Sequence, residues 1–520
     1  MKPIQKLEFD LHVERFMLHF VLIRIGRIVL SISPKAVGNS EYLGVAQAVC
    51  FRAVLLLAFG FTIPATPLSA QAAPETEWVY VDSIEIKGNK KTRRSIILRE
   101  FDFKTGDTLS FAELPDRLER NRLRVLNLGL FTDASLEVQR WKSGDLLVLR
   151  LTVKEGWYTY PVPVFELADR NFNVWWHEFN RSLKRVNYGI NWFQLNLTGR
   201  GDILRLNANF GYTNLYEATY TSPSINKRQT IGFQAGLRFS RRHEINYKTL
   251  NNKLEFRTDP ETWQIQRWNA NVGISFRPDF YVNHGLTLEF HKNTIADSIR
   301  LELNPDFFLN GAAEQRHFSF IYSFVNDHRN IRPYPTKGWR MLGEFRWNGL
   351  LPGDDLHLGR LRGEYSHFFT CTEQLSLAVA VAGRFSFPRK QIPYFNNQGL
   401  GYGSQYVRGY EYFVADGLDY ALLRTAFHFE LFDHYLNLGK LMPLKNYRKV
   451  PLKAYLAFNN DTGYANDPFY GEGNPMSNRV LYGYGLGLDF VILYGNTLKL
   501  EWTRNDLGLQ GFYLNVTSGF

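Results

Sequence analysis

From Val186 almost to its end the chain alternates apolar and polar positions. Val186, Tyr188, Ile190 and Trp192 stand against Asn187, Gly189 and Asn191. After a turn at Thr198 to Asp202, Leu204, Leu206, Ala208 and Phe210 stand against Arg205, Asn207 and Asn209. Successive strand side chains point to opposite faces, so this period builds strands with one greasy face and one wet face. The pattern returns at 231–239, 268–276, 375–381 and 480–494, the last with Gly483, Gly485, Gly487 and Asp489 on its polar parity. Beyond residue 73 no apolar run approaches the roughly 18 residues that a spanning helix needs. Membrane passage there must use closed strands, because lipid offers no partner to an unpaired backbone group. The length from 160 to 520 predicts a mostly β fold, an antiparallel transmembrane barrel of roughly 16 strands. We place the barrel at 185–520 and treat the aromatic, proline-rich stretch 157–184 as a linker leading into it.

Composition agrees with a barrel. The chain holds 41 Phe, 28 Tyr and 11 Trp, yet its mean hydropathy is −0.27, as lipid-facing aromatics and lumen-facing polar residues cancel. The net charge of +11 is dispersed and forms no dense basic stripe, so no nucleic-acid partner is expected. There are two cysteines, Cys50 and Cys371. Residues 52–72 run from Arg52 through an apolar stretch to Ser69-Ala70-Gln71-Ala72, the layout of a secretory signal peptide, with cleavage after Ala70 or Ala72. We therefore expect residues 1–72 to be removed as a leader, which also takes Cys50 out of the exported part.

Residues 73–156 form a separate unit. Val79, Val81, Ile84 and Ile86 predict a strand; Thr92 is placed to cap a helix carrying Ile96, Ile97 and Leu98. Ser110 and Glu113 fit a capping box for a second helix through Leu114, Leu118 and Val125, ended by Gly129. Strands near 131–139 and 145–153 complete the order β-α-α-β-β.

The strings IEIKGNKKTRRSIILRE (84–100) and LNLGLFTDASLEV (126–138) resemble a polypeptide-transport-associated (POTRA) domain of the BamA/TamA outer-membrane superfamily. Asp327 to Asn330 with Tyr334 to Trp339 resembles the superfamily's motif of a turn feeding a barrel strand. Val407-Arg408-Gly409-Tyr410 resembles the VRGY/F motif of its long sixth extracellular loop. The resemblance implies that this loop folds back into the lumen, where its arginine meets an aromatic and an acidic residue of an F-x-D-x-G wall pattern. The matching segment is Phe458-Asn459-Asn460-Asp461-Thr462-Gly463, which carries one residue too many between Phe458 and Asp461. Either a bulge returns both to one face, or Arg408 pairs with Asp461 and a different aromatic. Phe512, Leu514, Val516 and Phe520 share one parity of a last strand ending in Phe, which resembles the signal read by the assembly machinery.

The resemblance implies an outer-membrane protein with its POTRA domain in the periplasm. That domain would receive unfolded client polypeptides or accessory subunits by strand addition at an open sheet edge. Two functions stay open: a factor that inserts or exports clients by strand pairing at this domain and at the barrel seam, and a passive pore whose periplasmic domain docks a partner. A single POTRA domain ahead of the barrel points to a specialised role. No P-loop, no G-x-S-x-G elbow and no histidines at metal-ligand spacing occur, so neither enzyme activity nor a metal or cofactor is expected.

Overall fold

The computed structural model describes residues 78–517, except 142–145, 168–171, 227, 333, 438, 440–448 and 493–495. The expected leader lies outside the described residues. The first unit contains β1 (Trp78–Lys87), α1 (Arg94–Leu98), β2 (Thr108–Ser110), α2 (Leu114–Leu126), β3 (Phe131–Trp141) and β4 (Leu146–Glu155). Its sheet runs β2-β1-β4-β3, with β1 and β4 parallel. Val79, Val81, Ile96, Ile97, Leu149 and Leu151 are buried where the helices cover this sheet.

Three details depart from the sequence reading. A short strand, β2, intervenes between the helices. The capping box does not form: Ser110 belongs to β2, while α2 begins after Glu113 with Pro115 in its first turn and no side-chain cap. Proline's fixed φ starts that helix without one. Thr92 does not cap α1 either, because its hydroxyl is engaged by Tyr158 (2.9 Å) and by Asn196 of a barrel turn (2.9 Å).

Among the described residues the wall consists of sixteen antiparallel strands in one sheet, ordered β22 back to β12 and then β9 back to β5. They are β5 (Thr159–Leu167), β6 (Val186–Leu195), β7 (Ile203–Gly211), β8 (Thr213–Ser222), β9 (Ile231–Arg242), β12 (Ile265–Phe276), β13 (Val282–Ile295) and β14 (Glu314–Asp327). The second half is β15 (Gly338–Asn348), β16 (Leu358–Thr370), β17 (Leu375–Phe387), β18 (Asp419–Asn437), β19 (Lys449–Asn466), β20 (Val480–Ile492), β21 (Asn496–Asn505) and β22 (Gln510–Thr517). Strand β5 corrects the expected boundary, since the wall begins at Thr159 and not at 185. Two features hid it. Its outward positions include Pro161 and Pro163, and its inward ones are the buried Val162 and Val164. Both prolines share one parity, so the N–H groups they lack are those that an edge strand turns away from its single neighbour.

Burial is inverted relative to a soluble protein. Leu237, Ile274, Leu361 and Phe385 are more than half exposed, while Asn209, Glu289, Ser319 and Thr503 are buried. That is the distribution expected of a wall with lipid outside and a polar lumen within.

The two ends of the barrel differ. At the proximal end the small domain is fastened to the turns: Glu100, 2% exposed, accepts both Nη atoms of Arg277 at 2.8 and 2.9 Å. Arg124 lies 4.0 Å over the Phe280 ring and donates to Tyr281 Oη at 2.9 Å. Across the distal mouth folds a hairpin, β10 (Glu244–Leu250) and β11 (Lys253–Thr258). Its tip residues, Asn251 and Asn252, both have positive φ. Asn252 is fully buried. It donates its Nδ2 to Val414 O (2.9 Å), its amide to Asn474 Oδ1 (2.9 Å), and accepts from the amides of Met476 (2.9 Å) and Val414 (2.8 Å). At the hairpin's base Arg185 is ion-paired to Glu244 and lies 3.7 Å over the Phe179 ring.

Candidate functional site

Between β17 and β18 the chain leaves the wall as a long loop, 388–418, and turns into the lumen. Arg408, 5% exposed, meets two carboxylates that are themselves completely buried. Its Nη1 donates to Asp461 Oδ1 at 2.7 Å, its Nε to Glu501 Oε1 at 2.9 Å and its backbone amide to Asp461 Oδ2 at 3.1 Å. Asp461 lies on β19 and Glu501 on β21, so a single guanidinium spans two strands that have β20 between them. A planar, permanently charged fork suits this better than an ammonium, which presents a point charge. The acids are held in turn: Asn459 Nδ2 and Asn515 Nδ2 donate to Glu501 at 3.1 and 3.0 Å.

The wall makes room by leaving side chains out. A Cβ on Gly483 of β20 would stand 1.8 Å from the Arg408 carbonyl oxygen, so only glycine lets the motif lie against that strand. Gly463 acts similarly under Val407, with a Cβ meeting Val407 Cγ2 at 2.5 Å. Gly409 has φ +83° and its carbonyl accepts from Asn505 Nδ2 at 2.7 Å. Val407 and Tyr410 are buried among Leu400, Ala415, Leu422 and Leu481, and Tyr410 Oη donates to Asp506. Next to the motif, burial pushes the Glu411 carboxyl up to about 8, and the charges of Glu501 and Asp461 add to the shift.

The open choice at β19 is resolved by its register. Pairing with β20 runs without a shift from Leu452↔Ile492 to Tyr464↔Val480, so no bulge intervenes. Phe458 therefore points outward, 44% exposed, and is corrected from lumen partner to lipid-face residue. Asp461 and Gly463 point inward. A buried aromatic near this site comes from the turn before β15: Tyr334 donates to Asp489 Oδ2 at 3.1 Å and stacks on Tyr455 at 4.6 Å. Glu501 was missed in the sequence. The available signal was an inward carboxylate on the parity Thr497, Lys499, Glu501, Thr503.

Among the described residues no ladder joins β22 to β5, so the sheet has two edges at one seam. Phe512 of β22 is 79% exposed on the outer side and Leu514 is half-buried. Val516 belongs to β22, and Phe520 lies outside the described residues. Helix α3 (Phe172–His177) lies beside β22, and Tyr412 of the loop bridges His177 and Tyr513 with ring distances of 6.3 and 5.6 Å. Among the described residues no helix is long and apolar enough to cross a membrane, and no group of side chains is arranged to hold a metal.

Comparison with known proteins places both units. Residues 196–419 match the Omp85 superfamily domain, and residues 79–156 match POTRA, the surface antigen variable number repeat. A putative outer membrane protein assembly factor of Treponema pallidum (strain Nichols) is 25% identical over 311 residues, which cover 54% of this chain and 34% of that protein. The chain thus spans about a third of that relative's length. BamA from Haemophilus ducreyi lacking POTRA domains 1–3 is similar at 13% identity and a TM-score of 0.47, over 84% of this chain and 83% of that one. CdiB from Escherichia coli is similar at 12% identity and a TM-score of 0.47, over 94% of this chain and all of that one. Residues 79–156 are thus a POTRA domain and residues 196–419 an Omp85 superfamily domain, the first leading into the second.

Proposed function

We propose that this protein inserts or exports client polypeptides at the bacterial outer membrane, with the POTRA domain on the periplasmic side and the hairpin-covered mouth facing outward. The carrying observation is the join between the two units. Arg277 and Glu100 hold, directly beneath the barrel, a sheet whose edge strands among the described residues are β2 and β3. An edge strand presents unpaired amides and carbonyls to an extended chain, so an unfolded client or an accessory subunit can add as a further strand. At the seam the β22 edge offers the same chemistry within the bilayer, where pairing is worth most because lipid supplies no alternative, whereas Pro161 and Pro163 leave β5 fewer amides to present. In this reading the Arg408, Asp461 and Glu501 contact fixes the loop near the seam through Tyr412. No nucleotide is consumed; the drive is the client's own folding.

Depletion of the protein, combined with a photoreactive residue at Thr108, exposed on β2, tests the proposal. Accumulation of unfolded outer-membrane clients, or their loss from the medium, together with a crosslink to an extended client, supports it. A wide conductance in planar bilayers that is insensitive to loop 388–418, with clients unaffected by depletion, replaces it with the passive pore.

A further inference from the structure

The motif arginine is not the only group holding loop 388–418. Three arginines on consecutive wall strands reach the opposite way, from the wall into the loop, and all end on main-chain oxygens. Arg360 of β16 donates to Asn396 O, near the start of the loop. Arg384 of β17 donates to Gly417 O at 2.7 Å, near its end. Arg424 of β18 takes the middle, with Nη2 donating to Ser404 O at 2.7 Å and Tyr406 O at 2.6 Å and its guanidinium 5.1 Å over the Tyr406 ring. Hydrogen bonds from a charged donor to a carbonyl are about twice as strong as neutral ones, and they survive any change of side chain at the acceptor.

Arg424 also touches the first set of contacts, since its Nε lies 3.7 Å from Asp461 Oδ2, the carboxylate that Arg408 holds. We infer that the loop is seated by two separable sets of bonds, Arg408 fixing the motif's register on Asp461 and Glu501, and Arg360, Arg384 and Arg424 retaining the loop backbone in the lumen. Arg424 is the positioning residue that couples the two. Loss of Arg408 then loosens the motif but leaves the loop inside the barrel. The inference bears on client handling only through the proposed role of the loop, and its readout, the loop's position, is independent of that role.

The test uses the full-length protein in detergent, with Cys50 and Cys371 replaced by serine and a reporter Ala415→Cys, a buried loop position. The rate of maleimide labelling reports unseating, and heat-shifted electrophoretic mobility confirms that each barrel is folded. Relative to the reporter alone, Arg408→Ala is expected to raise the rate less than about threefold. Arg424→Gln should raise it about tenfold, and Arg360→Gln, Arg384→Gln and Arg424→Gln together about 100-fold, as charged hydrogen bonds are lost. Arg424→Lys, which keeps the charge beside Asp461 but not the fork, should fall between wild type and Arg424→Gln. If the triple variant fails to fold, Arg424→Gln alone decides. Equal release by Arg408→Ala and by the clamp variants, or continued protection in folded Arg424→Gln, overturns the inference.

Discussion

Replacing Arg408 by methionine removes a charge while keeping most of the side chain's bulk, and the geometry sets the cost. Asp461 and Glu501 are completely buried and lose their shortest ion pairs, at 2.7 and 2.9 Å. Arg424, at 3.7 Å from Asp461, compensates in part, and the amides of Asn459 and Asn515 still reach Glu501. Breaking a buried pair from one side costs about 3–5 kcal/mol, chiefly because the remaining charge is stranded. The partial compensation puts Arg408→Met at the lower end, about 3 kcal/mol. The triple variant Arg408→Met, Asp461→Asn, Glu501→Gln strands nothing and should recover to within about 1–2 kcal/mol of wild type. Urea unfolding of the barrel in micelles, followed by tryptophan fluorescence, measures both. A single variant costing under about 1 kcal/mol, or a triple variant no better than the single one, refutes the argument that stranded charge sets the energy.

Gly483→Ala should unseat the motif more than Gly463→Ala, because the first Cβ meets the Arg408 carbonyl at 1.8 Å and the second a movable Val407 methyl at 2.5 Å; protease sensitivity of the loop ranks them. Glu411, with its carboxyl raised by burial, favours the folded state while protonated. Its contribution is complete below the carboxyl's ordinary value of 4.5 and is lost as pH rises through about 8. Unfolding midpoints across that window should fall less steeply in Glu411→Gln, and an unchanged slope would show that the group does not titrate there. Arg277→Ala should free the small domain from the barrel turns and speed proteolysis at the junction near Gly156, by removing two charged hydrogen bonds to Glu100; equal rates would mean that the other contacts suffice. Phe458→Arg should cost about 2–4 kcal/mol of barrel stability if that position faces lipid near the midplane, and much less if it faces the lumen.

The barrel was legible because its signal is local: parity at Tyr188, Ile190 and Trp192 needs no knowledge of neighbours. Strand β5 was not, since prolines stand on its outward positions and valines on its inward ones, unlike the apolar-out, polar-in strands that follow it. The POTRA unit showed through hydrophobic spacing and a word-level likeness, but the three-residue β2 is too short to carry a period. At the site, Arg408 and Asp461 were readable as motif and counter-charge. Glu501 was not, because it reaches Arg408 only through the registers of β19, β20 and β21, which no short string encodes. Phe458 was misplaced for the same reason, as only the unshifted register shows which face it takes.

The knot at Asn252 has a consequence for how the molecule would be seen from outside the cell. In the proposed orientation, the outermost surface joins the β10–β11 hairpin to the chain around Gly473, while Asn252, one of the two tip residues, is hidden. An immunogen made from the tip sequence alone would display an asparagine that the intact protein conceals. Antibodies that recognise living cells should instead map to a discontinuous epitope shared by two segments more than two hundred residues apart.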